Sequence, residues 1–315
     1  MEKRNITISL LVPVYNGMDY WKECVISINE YGYLFDNIIV SINKGESYQE
    51  DIETAKTINT DNISLIIQEK KLDAVSHFNN IIKKVNTEYV VILAHDDLLL
   101  DGIKELRNKL LSIENPSRIS FLGTFQFFKG SEDIALVKEI YNGCIKKEEF
   151  IEYDLAKYFD LNISGMCLPV KSILNNLEYM NKFICGIRFD YLLLTNNEID
   201  EIYQLESPTV RIRVHDNQQG KVIGSKGRIA DSILYFMYHI CNTNDNILKQ
   251  KLKNELEGTL LLSVKTNFLY GILFYFKNFR IFALRIGIYD FLKFNISIVI
   301  QSCKKVYSKL VRSFR

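Results

Sequence analysis

Proline is scarce, with four in 315 residues, and tryptophan occurs once. With 15 glycines, the composition excludes collagen-like and proline-rich architectures. No apolar stretch runs uninterrupted for 18 residues, so no membrane-spanning helix is expected. None of the six cysteines forms a C-x-x-C pair, so free thiols in a reducing compartment are expected rather than a zinc site. The opening MEKRNITISLLVPVYNG has a short apolar run without a small-residue cleavage site, and it does not read as a signal peptide. An excess of one charge is missing too. The 39 Lys+Arg nearly cancel the 38 Asp+Glu, which excludes a general nucleic-acid binder.

What remains is a globular chain, 47% hydrophobic and 24% charged, long enough for one large α/β domain with an appendage or for two domains. The near-neutrality hides an asymmetry. From Lys277 to Arg315 nine basic residues oppose the single acid Asp290, a net of +8, which leaves −7 for the rest.

The first hundred residues alternate strand and helix patterns. ITISLLV (6–12), IIVSI (38–42), ISLII (63–67) and YVVIL (89–93) read as buried strands. Between them lie a helix with Trp21, Cys24, Val25 and Ile28 on one face and Gly32 as its stop, a helix over 51–58 opened by a Ser47/Glu50 capping box, and a helix capped by Asp73. Such alternation predicts a doubly wound, mostly parallel sheet. Sheets of this kind bind ligands beyond the carboxyl ends of their strands. A strand order beginning 3-2-1-4 brings the loops PVYNG (13–17) and AHDD (94–97) to one crevice.

Further on, 119–128 and 134–138 read as a hairpin, 147–159 as helix, 162–170 as strand and 171–180 as helix. A short helix over 188–197 is entered at Asp190, and IDEIYQL and PTVRIRV are strand-like, ending at His215. After Gly220 the chain turns helical over 228–240 and 246–276, with a boundary near 220–227. The expected domains are therefore 1–222 and a helical region over 223–315.

Adjacent carboxylates at Asp96–Asp97 repel each other. Either a divalent cation with phosphate oxygens neutralises them, or they form a solvated turn or a helix N-cap before Leu98–Leu100. Tyr15 either stacks on a base or belongs to an ordinary turn with Asn16 as N-cap. Asp190 is either a general base or a cap. His215 is a metal or phosphate ligand or a polar strand end, and Arg211 and Arg213 share a face from which either can meet a diphosphate.

The order of these segments is more specific than any one of them. ISLLVPVYNG, then NNIIKKVNTEYVVILAHDD, then FDYLLL, then RVHDNQ together resemble a family 2 inverting glycosyltransferase of the GT-A fold, over roughly residues 6–220. The resemblance implies a Rossmann-like nucleotide-binding half and an acceptor half. It implies a hexosyltransferase-like enzyme using Mg²⁺ or Mn²⁺ and a nucleotide-diphosphate sugar, a UDP-sugar first. Pro13, Tyr15 and Asn16 match the nucleotide-contacting turn, and Asp96 matches the metal-binding acid of Asp-x-Asp. Asp97 and His215 are the further metal candidates. Asp190 matches the catalytic base, and Arg213 with His215 matches the Arg-x-His element near the diphosphate. Asn43 stands nearest the base-reading acid. Asp73 and Asn79 complete the donor-binding set. The chain departs from the family at Ala94, where the first acid of Asp-x-Asp would be. It departs again at SINKGES (41–47), at Phe78 in place of an Arg, and at Phe189 in place of a Glu.

In residues 280–315, apolar and aromatic side chains mix with a net +7, as in helices lying in a membrane interface. A helical subdomain packed on the core with a solvated basic face explains the same pattern. The expected protein is cytoplasmic and peripheral at the inner face of the membrane, serving a glycan or lipid-linked acceptor in surface polysaccharide or glycan biosynthesis. The rival readings are a non-catalytic nucleotide-sugar-binding or scaffold protein on the same fold and a nucleotidyltransferase. The absence of a Gly-rich, basic phosphate loop after the first strand argues against the nucleotidyltransferase.

Overall fold

In a computed structural model of the chain, residues 6–113, 116–137, 141, 143–157, 161–183, 187–215, 224–260 and 262 are described. The four β-branched runs form β1 (Ile8–Val14), β2 (Asn37–Ile42), β3 (Ile63–Ile67) and β4 (Tyr89–Ile92). They lie parallel, as the alternating pattern predicts, and their order is β3-β2-β1-β4, the one under which the PVYNG and AHDD loops meet. Leu10, Val12, Val40 and Val91 are fully buried, as expected for central parallel strands covered on both faces.

The crossovers are α1 (Met18–Tyr31), α2 (Tyr48–Ala55) and α3 (Ala74–Ile82). On α1, Trp21, Cys24, Val25 and Ile28 form the buried stripe, and Gly32 is the C-cap. Asp73 caps α3 by accepting from the Ser76 N–H. The capping box at Ser47 does not form. Ser47 is the N-cap residue of α2 but makes no side-chain cap bond, and its hydroxyl instead donates to Asp51 at 2.8 Å.

The other half of the sheet is mixed. The order continues β4-β9-β6-β10-β5, with β9 (Met166–Pro169) antiparallel to both β4 and β6 (Ile119–Lys129). β6 pairs with β7 (Glu132–Val137) as the expected hairpin. The two strand-like runs near 200–214 are one strand, β10 (Glu201–Arg213), with register shifts between Gln204, Pro208 and Val210. Glu105, on α4 (Gly102–Ser112), accepts the Glu206 and Ser207 N–H groups at that irregularity, so these backbone donors stay paired. Leu98–Leu99 is neither turn nor helix but a short strand, β5, antiparallel to β10. β8 (Gly143–Lys146) also pairs with β10 and leads into α5 (Lys147–Lys157). The expected helix over 171–180 is two short ones, α6 (Val170–Leu174) and α7 (Leu177–Met180), and α8 (Ile187–Thr195) follows.

The chain divides into two compact units: Met1–Asp154, Tyr158–Lys182 and Asp190–Gln218 in one, Leu155–Lys157, Phe183–Phe189 and Gln219–Arg315 in the other. The first holds the sheet. The second holds α9 (Gly224–Asn242) and a helix over 246–260 whose Leu248, Leu252, Leu256 and Leu260 are buried at a spacing of four. Within it the Arg188 guanidinium lies over the Tyr235 and Phe236 rings, at 5.1 and 5.2 Å. Among the described residues no helix is long and apolar enough to cross a membrane. The helix expected beyond 262 and the basic segment 280–315 lie outside the described residues.

Candidate functional site

β1 and β4 are parallel neighbours, so the segments leaving them emerge at one edge. Pro13 sits past Leu11↔Ile92, the last pair of the β1–β4 ladder, where a missing N–H breaks no bond to β4. Tyr15 and Asn16 follow. Asn16 adopts φ +51, a left-handed conformation that asparagine tolerates. Its Oδ1 accepts from the Glu46 N–H at 2.7 Å. Gly45 makes that approach possible, since a Cβ there would stand 2.1 Å from Asn16 Oδ1 and 2.9 Å from the Tyr15 ring. Asn16 is not the helix cap. Gly17 holds that position, and the Asp51 carboxylate from α2 accepts from the Gly17 and Met18 N–H groups, each at 3.2 Å.

The loop after β4 meets this turn. A Cβ on Gly17 would lie 3.2 Å from the His95 ring. Beyond His95 the two acids separate. Asp97 is buried, accepting from Ser164 Oγ at 2.5 Å and from the Arg213 N–H at 2.9 Å. Ser164 Oγ in turn accepts the Ala94 N–H at 2.9 Å. Asp96 keeps partial exposure, and its Oδ2 lies 2.8 Å from His215 Nε2. Burial pushes both carboxyls up. At Asp96 the His215 hydrogen bond, the His95 charge and backbone donors outweigh it and hold the group below the usual carboxylate range. At Asp97 burial and the adjacent Asp96 charge dominate, and the group is raised well above that range. The repulsion between the neighbours is thus relieved by splitting their roles.

Arg213 is expected at the diphosphate but lies in the protein. It is buried, with Nε donating to the Asp96 carbonyl at 2.9 Å and Nη2 donating to Glu23 at 2.7 Å. Its guanidinium lies over the Tyr20 and Phe128 rings, at 4.6 and 4.5 Å. Arg211 pairs with Asp133 on β7 at 2.5 Å. The other expected donor contacts also have protein partners. Asn43 exchanges both amide functions with the Leu72 backbone, at 2.8 and 3.0 Å. Asp73 is the α3 cap, held below the usual carboxylate range by the Ser76 hydroxyl and N–H. Asn79 is buried and donates to Asn181 at 2.5 Å. Asp190 stands half-buried in the first turn of α8. The structure therefore brings Tyr15, Asn16, Asp96 and His215 to one edge, and it turns Asp97 and Arg213 inward.

Several participants have no local sequence signal. Glu23 and Tyr20 meet Arg213 from the face of α1, Ser164 reaches Asp97 from the loop before β9, and Lys71 stands over Tyr15. Only Gly45 is marked in the sequence, as the glycine of SINKGES.

Asp96 Oδ2 and His215 Nε2 are of the donor types that a small divalent cation takes, and in this structure they are hydrogen-bonded to each other. A carboxylate oxygen with an imidazole suits Mn²⁺ as well as Mg²⁺. Among the described residues there is no cluster of three or more His, Cys, Asp or Glu side chains that could hold a metal. Asp97, with its oxygens taken by Ser164 and the Arg213 N–H, does not complete one.

The chain is similar to known glycosyltransferases. The model of Glycosyl transferase family 2 matches residues 9–173. An uncharacterized glycosyltransferase of Rickettsia typhi is 26% identical over 220 residues, covering 67% of this chain; the chain spans 65% of that relative's length. Among solved structures, S. aureus TarS residues 1–349 in complex with UDP-GlcNAc superposes with a TM-score of 0.59 at 11% identity, over 83% of this chain and 73% of that one. The same TarS segment in complex with UDP gives 0.54 at 12% identity over the same shares. The shared fold is GT-A.

Proposed function

Because the chain belongs to glycosyl transferase family 2, we propose that it moves a sugar from a UDP-sugar to a hydroxyl acceptor with inversion at the anomeric carbon. The observation carrying this reading is the Asp96–His215 pair, 2.8 Å apart at the strand ends beside the Tyr15 turn. The TarS complexes with UDP-GlcNAc and UDP, on the same fold, support a uridine donor.

In this mechanism Asp96 and His215 would hold Mg²⁺ or Mn²⁺, which would supply positive charge against the departing diphosphate. Tyr15 and Asn16 border the nucleotide, and the turn they form is fixed by Gly45 and Asp51. Arg213 braces the Asp96 carbonyl. Asp190 accepts the acceptor's hydroxyl proton as that oxygen attacks the anomeric carbon opposite the diphosphate. One displacement inverts the configuration.

The test is transfer from a panel of UDP-sugars with Mn²⁺, read as UDP release. Asp190→Asn is expected to lower turnover by about 10²-fold or more while donor affinity is retained. An Asp190→Asn protein that transfers at the unmodified rate sinks the base assignment. Donor binding without transfer to any acceptor points to the non-catalytic binding protein, and pyrophosphate release to the nucleotidyltransferase.

The same reading places the protein at the cytoplasmic face of a membrane, acting on a lipid-linked or glycan acceptor in surface polysaccharide assembly. Its support is the +7 charge interleaved with apolar residues over 280–315. Flotation with anionic liposomes, with and without that segment, tests it. Full-length protein that stays with the soluble fraction overturns it.

A further inference from the structure

His215 stands just beyond the end of its strand. The β10–β6 ladder closes at Arg213↔Phe128, and the Val214 N–H donates to the Phe128 carbonyl at 2.8 Å. The ladder stops short of His215, so side-chain contacts set the direction of its imidazole. One comes from Asp96, whose Oδ2 lies 2.8 Å from His215 Nε2. A second comes from Tyr20, whose ring centroid is 5.0 Å from that of His215, with the ring planes tilted by 45°. That is a usual separation for a pair of packed rings.

Tyr20 is itself held on both sides. It lies in the first turn of α1, where the Asp51 carboxylate accepts from the Gly17 and Met18 N–H groups. The Asp51 carbonyl accepts from the neighbouring Trp21 Nε1 at 3.0 Å. From the other side the Arg213 guanidinium lies over the Tyr20 ring at 4.6 Å, within cation–π range. Glu23, which takes Arg213 Nη2 at 2.7 Å, is three residues from Tyr20 and on the same face of α1. This one face of the helix therefore meets both Arg213 and His215 where β10 ends.

The two contacts on His215 respond differently to a cation. A cation bound by Asp96 Oδ2 and His215 Nε2 takes the positions between which the shared hydrogen now lies, so their hydrogen bond is given up. The Tyr20 contact is made by the rings and does not depend on that hydrogen.

We propose that Tyr20 is a positioning residue for the cation site, holding the His215 imidazole beside Asp96 through its ring rather than its hydroxyl. The proposal rests on the Asp96–His215 cation reading above. Groups that orient a ligating histidine are worth about 10–100-fold in metal affinity.

The experiment titrates UDP into the full chain with and without Mn²⁺ and takes the ratio of the two affinities within each protein. Tyr20 is 37% exposed, so its replacement opens no sealed core position. Tyr20→Leu, which keeps apolar bulk without a ring, is expected to lower the ratio by about 10-fold, and Tyr20→Phe to keep it within about twofold. UDP affinity without Mn²⁺ is expected to be the parent's in both, with thermal midpoints within a few degrees. A ratio equal to the parent's in Tyr20→Leu overturns the assignment. So does an equal fall in Tyr20→Leu and Tyr20→Phe, which makes the hydroxyl the working group. A loss in Tyr20→Leu as large without Mn²⁺ as with it also overturns it, and makes Tyr20 a donor contact or a purely structural residue. If Mn²⁺ does not change UDP affinity in the unmodified protein, the cation reading itself fails, and this proposal with it.

Discussion

Ser164 Oγ donates to the Asp97 carboxylate at 2.5 Å while accepting the Ala94 N–H at 2.9 Å, so one hydroxyl ties both ends of the loop that carries Asp96. Ala94 stands where the resemblance puts the first acid of Asp-x-Asp, and its backbone N–H is held by Ser164. Ser164→Ala leaves a buried carboxyl and a backbone N–H without this partner. The expected cost is about 1–3 kcal/mol, or several degrees of thermal midpoint for a domain of this size. Differential scanning calorimetry checks it, and a midpoint equal to the parent's contradicts the tie.

The two acids give opposite outcomes when neutralised. Asp96 is partly exposed, held below the usual carboxylate range and directed at His215. Asp97 is buried, raised well above that range and engaged by Ser164 and the Arg213 N–H. Asp96→Asn is expected to weaken Mn²⁺-dependent UDP binding by about 10-fold or more, on the scale of losses at metal sites. Asp97→Asn keeps its acceptor oxygen for the Arg213 N–H, so its effect is expected in stability, with UDP affinity within threefold. Titrating UDP into both variants with and without Mn²⁺ separates them; equal losses in the two overturn the division.

The contrast shows what the sequence reveals and what it hides. The strands at 6–12, 38–42, 63–67 and 89–93 are legible because parallel strands buried on both faces need continuous apolar runs. The alternation of strand and helix gives parallel strands but admits more than one order; the order β3-β2-β1-β4, which brings the Tyr15 and Asp96 loops together, is visible only in the structure. The two-residue strand β5 has no period to read. Nor does anything local distinguish Asp96 from Asp97. Their fates are set by Ser164, 67 residues from Asp97, and by Arg213, 116 residues from it. Arg213 reads as a phosphate ligand for the same reason, because its partner Glu23 is 190 residues away.

Glu23 therefore has a testable role through Arg213. Its carboxylate meets Nη2 at 2.7 Å, while Nε of the same guanidinium holds the Asp96 carbonyl. Arg213 is buried and Glu23 about half exposed, so solvent screens part of the pair. Glu23→Gln is expected to cost about 1 kcal/mol of stability and to weaken Mn²⁺-dependent UDP binding several-fold, because the Asp96 loop loses part of its brace. Chemical denaturation and UDP titration measure the two effects. Unchanged UDP affinity with a lowered midpoint leaves Glu23 a purely structural partner.

His77 sets a pH limit on the donor half. Its Nε2 lies 2.9 Å from Ser41 Oγ, and the Gln68 amide donates to that same hydroxyl at 3.0 Å. With Gln68 as donor, the Ser41 hydrogen is left for a neutral imidazole. Burial, and after it the charge of His95, pushes the His77 pKa down from 6.5 to about 4. An unfolded imidazole takes up its proton near 6.5, so between these values the unfolded chain binds more protons and stability rises with pH. The contribution is complete above about 6.5 and declines as pH falls toward 4. Its full size is on the order of 3 kcal/mol, of which about 2 kcal/mol is gone by pH 5. His77→Gln retains a hydrogen-bonding partner for Ser41 without a titrating ring. Urea unfolding at pH 7 and pH 5 is therefore expected to show a smaller drop for His77→Gln than for the parent, by that amount. Parallel losses in the two proteins would mean that His77 is protonated in the folded state at pH 5, and that the Ser41–Gln68 network tolerates the charge.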